Sequence, residues 1–500
     1  MGNDRADSAG AWAGSATARL ITMLHNPSRA FPWIIALLVV AVYLPALPAS
    51  FQFDDWQVVV GDPRVSSLSA WWQSMPGMRA LLKLSYALNH ESGCGVRGFR
   101  AVNILLHALN AALVFMLARR LVLRLGCNNG GAGGTATIVG TATSLVFALH
   151  PAQTESVTYI SGRSNSFAAL WVLLTLLAWL KYREKDAGVL WPLLAAAAFV
   201  AAIACKETTA VLPLAMLLCL AAEPGRRIFR DYIQPLAFAA LAILLFAVAW
   251  PRLPYDYLLR VSLETRGPME NLAAQSQGVI WLIGQLFDWS RLNADPMLKP
   301  VTQWTPGVII TTAILAAVIV AALLALRRYP IPAFAVLWFF IWLAPTNSLI
   351  ARLDVANDRQ LYLALAGPAF LQGYIIARWG RKILVAQSGS GLIYRCVPTV
   401  AFSILFFLGA VGTMNRNRVY ATETTFWRDV VNKSPHNPRA WNNFGMAEAL
   451  ACRTDSAIRA FEEAIRLAPD YPQPQVNLEL LKIGELPGLS EQCGNIGDPP

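Results

Sequence analysis

Long apolar runs separated by short clusters of charge dominate the chain. The runs lie near 32–48, 101–118, 135–149, 166–181, 189–204, 209–222, 234–250, 305–326, 331–345, 361–378 and 394–412. A spanning helix needs roughly 20 mostly apolar residues, so this pattern predicts an all-α, polytopic membrane protein of about eleven transmembrane helices. Basic clusters follow every second run: Arg119-Arg120 with Arg124, Lys181/Arg183/Lys185, Arg226-Arg227 with Arg230, Arg327-Arg328, and Arg378/Arg381-Lys382. Cytoplasmic loops are enriched in Lys and Arg. The N-terminus is therefore expected inside and, with an odd number of spans, the C-terminus outside. Residues 50–100, 150–165, 205–209, 251–304, 346–360 and 413–500 then face outward or lie at the outer boundary. Within 251–304 the apolar segment Gly278 to Phe287 is short for a span, and an interfacial or re-entrant helix is expected. The first run, Phe31 to Leu47, follows a leader carrying Arg5, Arg19 and Arg29 that is long for a cleaved signal peptide. A cut near Pro48 to Ser50 is an alternative to a retained first span behind a cytoplasmic segment 1–30. The transmembrane domain is drawn over 31–415.

The last segment has a different period. From Pro438 to Tyr471, Trp441, Phe444, Gly445, Ala457, Phe461, Ala464 and Pro469 sit at the offsets of one tetratricopeptide repeat, a pair of helices whose small residues allow close packing. Trp427, Val430 and Pro435 fit a preceding second helix, and Val476 to Ile483 a following first helix. A helical module over 416–485, with a full repeat at 438–471 and a flexible tail at 486–500, is expected. Fewer than three repeats rarely bury enough core to stand alone, so the module should dock on the membrane domain.

Composition agrees with lipid as the solvent: of 500 residues 56% are hydrophobic and only 14% charged, and the mean hydropathy is +0.45. The net charge of +11 reads as topology information, and no nucleic-acid partner is expected. Seven Cys lack metal or CxxC spacing. Cys452 and Cys493 could bridge in an oxidising compartment, although connectivity does not follow from spacing.

The candidate chemistry lies at the outer ends of the runs. Asp54 and Asp55 follow the first run between Phe53 and Trp56, and a carboxylate pair beside the bilayer can act as a general base or hold a cation. Asn103, His107 and Asn110 share one face of the second run, where polar groups turn inward either to bond other helices or to meet a ligand. His150-Pro151 through Glu155, Gly162-Arg163, Lys206-Glu207, and Asp358-Arg359 with Tyr362 recur at the same level. Arg163, Lys206 and Arg359 supply cations suited to a phosphate, and Asp54, Asp55 and Glu155 supply carboxylates. A phosphate-headed lipid and a hydroxyl acceptor fit that set. A non-enzymatic scaffold for envelope or polysaccharide assembly, recruiting partners through its repeat, is the second reading. A transporter is the third, and it lacks the internal symmetry expected of one.

With Phe53-Asp54-Asp55, Gly98-Phe99-Arg100 with Asn103 and His107, His150 to Glu155, Gly162-Arg163, Lys206-Glu207, Asp358 to Leu363 and the terminal repeat in this order, the chain resembles the transmembrane and tetratricopeptide-repeat O-mannosyltransferases and their bacterial relatives in the GT-C superfamily. Two departures stand out: Ser164-Asn165 where the family often has an acid after Gly-Arg, and Asp358-Arg359 where it often has Glu-Arg. The repeat module is also far shorter than the arrays of the animal members. The resemblance implies inverting transfer of a hexose from a polyprenyl-phosphate sugar to a hydroxyl of a protein or glycan, on the outer face of a bacterial inner membrane, with the repeat module periplasmic. It implies a base in the pair, Asp54 by position. Arg163, Lys206 and Arg359 would bind the donor phosphate, and Glu155 would orient the acceptor or a metal. His107, His150, Asn103, Glu207, Asp358 and Tyr362 would support them. A divalent cation, Mg or Mn, is left open, with Asp54, Asp55 and Glu155 as its ligands if there is one.

Overall fold

The computed structural model describes residues 27–126, 132–184, 188–225, 229–386, 392–489 and 493. The leader with Arg5 and Arg19, Cys127, Lys185, Arg226-Arg227 and most of the tail after 489 lie outside the described residues.

The described chain is all-helical, and each apolar run falls on a helix. In order these are α1 (Pro27–Tyr43), α2 (Leu68–Gln73), α3 (Ala80–Glu91), α4 (Gly95–Arg124), α5 (Ala132–Ala148), α6 (Thr154–Val157), α7 (Arg163–Tyr182), α8 (Leu190–Cys205), α9 (Leu212–Ala222), α10 (Phe229–Ala249), α11 (Tyr255–Thr265), α12 (Pro268–Gln285), α13 (Pro306–Ala325), α14 (Pro330–Leu343), α15 (Leu361–Ala364), α16 (Ala366–Ala386) and α17 (Leu392–Val419). Four C-terminal helices follow: α18 (Glu423–Lys433), α19 (Pro438–Leu450), α20 (Thr454–Leu467) and α21 (Pro472–Lys482).

Among the described residues, 4 helices are long and apolar enough to cross a membrane, and 6 if each of two bent pairs is one span. The bends are 56° between α5 and the 151–157 segment, and 54° between the 358–364 segment and α16. Pro151 explains the first, because its ring cannot continue the helix that ends at Ala148. Four shorter apolar helices complete the set: Ala30–Ala46, Leu190–Cys205, Glu207–Ala222 and Pro330–Leu343. The two bends and the Lys206 break carry the candidate chemistry.

α4, α5, α7, α8, α14 and α16 share one apolar core with α1 and α9, including Phe115, Phe147, Leu173, Trp179, Phe199 and Trp338. α10 and α13 differ. Only 17% and 11% of their apolar windows are buried within the protein, and Ile310, Ile314 and Leu324 stand exposed. Apolar helices that the protein leaves uncovered are what a lipid solvent accommodates.

The 251–304 segment forms α11 and α12, followed by a short turn at Trp289–Arg291. α12 carries the apolar stretch from Gly278, and its polar face covers the 344–357 loop: Gln275 donates to the Val355 carbonyl at 3.0 Å and Asn271 to the Ser348 carbonyl at 2.7 Å.

α19 and α20 form a helical hairpin in which Gly445 is needed, since a Cβ there would lie 2.7 Å from the Phe461 ring. Cys452 and Cys493 are joined by a disulfide. The hairpin does not stand apart. Arg439 pairs with Asp295 at 3.0 Å and Asp354 at 3.2 Å, and Lys433 donates to the Leu292 carbonyl at 2.8 Å. Phe426, Trp427, Val430 and Phe444 share an apolar cluster with Tyr159, Tyr420 and Phe53.

Candidate functional site

The loop after α1 is pinned from below. Arg100, fully buried on α4, donates to the carbonyls of Leu47 at 3.2 Å, Ala49, and Ser50 at 2.9 Å, and to that of Thr158 at 3.0 Å. One guanidinium thus ties the Asp54 loop to the 154–162 turn. From the C-terminal side, Gln52 donates to the Tyr420 carbonyl at 3.2 Å, Trp56 to Glu423 at 2.8 Å, and the Phe53 ring stands edge-on to Trp427 at 5.1 Å. Phe53 has φ of +41°, a costly conformation for an aromatic residue that persists only when its surroundings over-determine it.

The two adjacent acids then diverge. Asp55 is fully buried: one oxygen accepts from the main-chain N–H of Ser161 at 2.7 Å and its hydroxyl at 2.8 Å, the other from the Gln52 N–H at 3.1 Å. Burial pushes its carboxyl up to about 6, against the pull of those donors and of Arg100. Asp55 is a fastener between two turns. Asp54 keeps its side chain 32% exposed, its main-chain N–H held by the Tyr159 hydroxyl at 2.9 Å.

Arg359 links Asp54 to Glu155. Its Nη1 donates to Asp54 at 3.3 Å, its main-chain N–H donates to Glu155 at 3.0 Å, and its Nε lies 3.7 Å from the other Glu155 oxygen. Glu155 reaches this point because Gly162 lets the following turn fold over its backbone; a Cβ at 162 would lie 2.2 Å from the Glu155 carbonyl oxygen.

Arg359 also lines a cleft with Lys206, Asn165, Thr208, Thr209, Trp342, Thr346, Gln360 and Tyr362. Lys206 donates to Asn165. Burial, with the neighbouring guanidinia of Arg352, Arg79 and Arg359, holds its ammonium well below the usual lysine range. Arg352, which the sequence reading passed over, is itself pushed down to about 10, by burial first and by Arg359 next. Its only sequence signal was a cation in the 346–360 loop. Arg100 was visible as part of Gly98-Phe99-Arg100, but its loop-pinning role needs contacts that no local pattern encodes.

Arg163 lies elsewhere, contrary to expectation. It is fully buried and spends its guanidinium on Asn103 at 2.6 Å, the Ser85 carbonyl at 3.1 Å and the Phe99 carbonyl at 2.7 Å, with the Tyr86 ring 4.7 Å away. Packed among α3, α4 and α7, it does not line the cleft. Asn103 meanwhile donates to the Val157 carbonyl at 3.1 Å. His107 faces the Ala148 carbonyl at 3.1 Å through Nε2, so that nitrogen carries the proton and Nδ1 accepts from the Tyr362 hydroxyl at 2.8 Å. Asn110 donates to the same hydroxyl at 3.0 Å. His150 caps the turn after Pro151 by accepting the Ala152 N–H at 3.2 Å. Glu207 pairs with Arg79 at 3.0 Å. Asp358 is buried and accepts from the Asn293 N–H at 3.2 Å.

A divalent ion held by Asp54, Asp55 and Glu155 does not fit this arrangement. Both Asp55 oxygens are taken by N–H and O–H donors, Asp54 and Glu155 face one guanidinium, and among the described residues no three His, Cys, Asp or Glu side chains converge as an ion site.

Residues 74–250 match the family described as dolichyl-phosphate-mannose-protein mannosyltransferase. Among curated proteins, the chain is 31% identical over 231 residues to protein O-mannosyl-transferase Tmtc2 of Drosophila melanogaster, covering 42% of this chain and 23% of that one. It is 22% identical over 474 residues to protein O-mannosyl-transferase TMTC3 of Homo sapiens, covering 85% of this chain and 47% of that one. The chain thus spans 23% to 47% of the length of these relatives. No solved structure matches. By its ordered motifs and by these similarities, the chain resembles the transmembrane O-mannosyltransferases of the GT-C glycosyltransferase superfamily.

Proposed function

We propose that the chain is a polyprenyl-phosphate-sugar-dependent glycosyltransferase that moves a hexose, O-mannosyltransferase-like, to a hydroxyl of an acceptor protein or glycan on the outer face of a bacterial inner membrane. Asp54 takes the proton from the acceptor hydroxyl while that oxygen bonds to the anomeric carbon. The bond from that carbon to the phosphate oxygen breaks on the opposite face. Polyprenyl phosphate leaves with the charge, which Arg359 and Lys206 meet. Glu155 holds Arg359 between the base and the phosphate. Asp55 and Arg163 keep the loops in register instead of touching substrate.

The observation that carries this reading is Arg359 itself. It bonds the accessible carboxylate Asp54 on one side and lines the Lys206 cleft on the other, so a base and an anion site share one guanidinium. A positioned base contributes typically ~10²–10⁴-fold to rate.

The reading includes eleven spans, a cytoplasmic N-terminus and a periplasmic tetratricopeptide-type module. The Cys452–Cys493 disulfide supports an oxidising compartment for that module. Its contacts with Phe53 and Trp56 support a place for acceptor beside Asp54.

The test is transfer from a panel of radiolabelled polyprenyl-linked sugars by membranes carrying the natural chain or its Asp54→Asn form. Transfer by the first and its loss in the second is expected, with expression unchanged. Full activity of Asp54→Asn overturns the reading.

A further inference from the structure

The cleft beside Arg359 contains two N–H donors that the sequence pattern did not flag. Gln360 is 8% exposed, and its Oε1 accepts from Asn347 at 3.2 Å and from the Asn357 N–H at 3.4 Å. Two donors aimed at one amide oxygen settle which end of the amide is which, so Nε2 is the end left over. That Nε2 has no hydrogen-bond partner. Trp342, also 8% exposed, lines the same cleft near the outer end of α14, and its indole N–H likewise has none. A buried donor left unpaired costs about 1–3 kcal/mol.

The two charged lining groups share this polarity, while Asn165, Thr208, Thr209 and Thr346 line the same cleft and can accept as well as donate. Lys206 offers an ammonium and Arg359 a guanidinium, and no carboxylate lines the cleft among the described residues. Four donor groups with no acidic acceptor among them complement a ligand whose polar atoms only accept. A phosphate is such a ligand.

We infer that Trp342 and Gln360 are binding residues for phosphate oxygens, completing with Lys206 and Arg359 an oxyanion cradle at the outer end of α14. This rests on the donor reading proposed above and adds to it the neutral half of the phosphate site. The charged pair attracts the anion. The indole and amide N–H groups set its orientation, so that the departing oxygen faces the Asp54 side of Arg359.

Binding of a non-reactive polyprenyl phosphate to the purified full-length chain in detergent tests this, with inorganic phosphate as a second ligand. Trp342→Phe keeps the ring and deletes the N–H. Gln360→Glu keeps an oxygen for Asn347 and Asn357 while placing a carboxylate oxygen in the cleft. Each variant is expected to weaken polyprenyl phosphate binding by roughly tenfold or more, the size of one charge-assisted hydrogen bond, with thermal stability unchanged. If inorganic phosphate competes and weakens in parallel, the headgroup oxygens are what the pair reads. If only the lipid binds, and it weakens, the tail supplies the remaining affinity and the inference stands. Natural binding by both variants overturns the inference and leaves the donor reading intact. Failure of the natural chain to bind polyprenyl phosphate overturns both.

Discussion

Arg359 bonds Asp54 at 3.3 Å through its side chain, and its main chain bonds Glu155 at 3.0 Å. The exposed acid and the buried one are therefore held by one residue, and neither can be changed without disturbing the other's partner.

Replacing Arg359 by Ala should abolish transfer and also destabilise the chain. Glu155 is 3% exposed, and removing one partner of a buried pair costs ~3–5 kcal/mol. Arg359→Lys keeps the charge and loses the forked geometry, so partial stability without normal transfer is expected. Thermal unfolding in detergent, run beside the transfer assay, separates the two effects.

The two adjacent aspartates should fail differently. Asp54→Asn should lose ~10²-fold or more in transfer with little change in stability. In Asp55→Asn an amide NH₂ must face the N–H of Gln52 or of Ser161, costing ~1–3 kcal/mol. The expected readout is a lowered unfolding midpoint for Asp55→Asn and none for Asp54→Asn; the reverse pattern would exchange their roles.

Stability should depend on pH through Asp55. Unfolded, an aspartate titrates near ~3.9, whereas burial raises it in the folded chain to about 6. The folded state thus holds this proton more tightly. Its contribution is most favourable below about pH 4 and declines as pH rises to about 6, by ~3 kcal/mol across the two units. In Asp55→Asn that part of the slope should vanish. Denaturation midpoints between pH 4 and 7 for both chains check it.

Trp427→Ala should impair transfer although Trp427 touches no reacting group. Its edge-on contact helps hold Phe53 in a left-handed conformation directly before Asp54. Loosening it should cost several-fold to ~100-fold in turnover, the range expected of a misplaced base. KM for the donor should change little, since the cleft is built by other elements.

Reduction of the Cys452–Cys493 bridge should destabilise the C-terminal helices. It closes a separation of 41 residues, which the chain-entropy account values at ~4 kcal/mol. Proteolysis of the full-length chain within 450–490, with and without reductant, reads this directly.

Much of the helical layout is legible in the sequence, because hydrophobic patterning is local: every apolar run lies on a helix, and the repeat offsets around Trp441 and Phe461 lie on α19 and α20. The motif clusters were legible too, since polar groups at the ends of apolar runs are costly and therefore conspicuous. Which of those groups meet was not. Arg163 and Arg359 look alike as cations beside apolar runs, yet one is consumed by Asn103 and two backbone carbonyls and the other faces a cleft. Asp54 and Asp55 are neighbours in sequence, yet only one keeps an exposed side chain. Gln360 and Trp342 resemble ordinary helix-end residues until the cleft they line and the missing partner of each N–H are known. Periodicity follows from a few neighbouring residues, whereas the fate of a hydrogen bond depends on partners such as Asn103 and Arg163, 60 positions apart, which only the folded chain brings together.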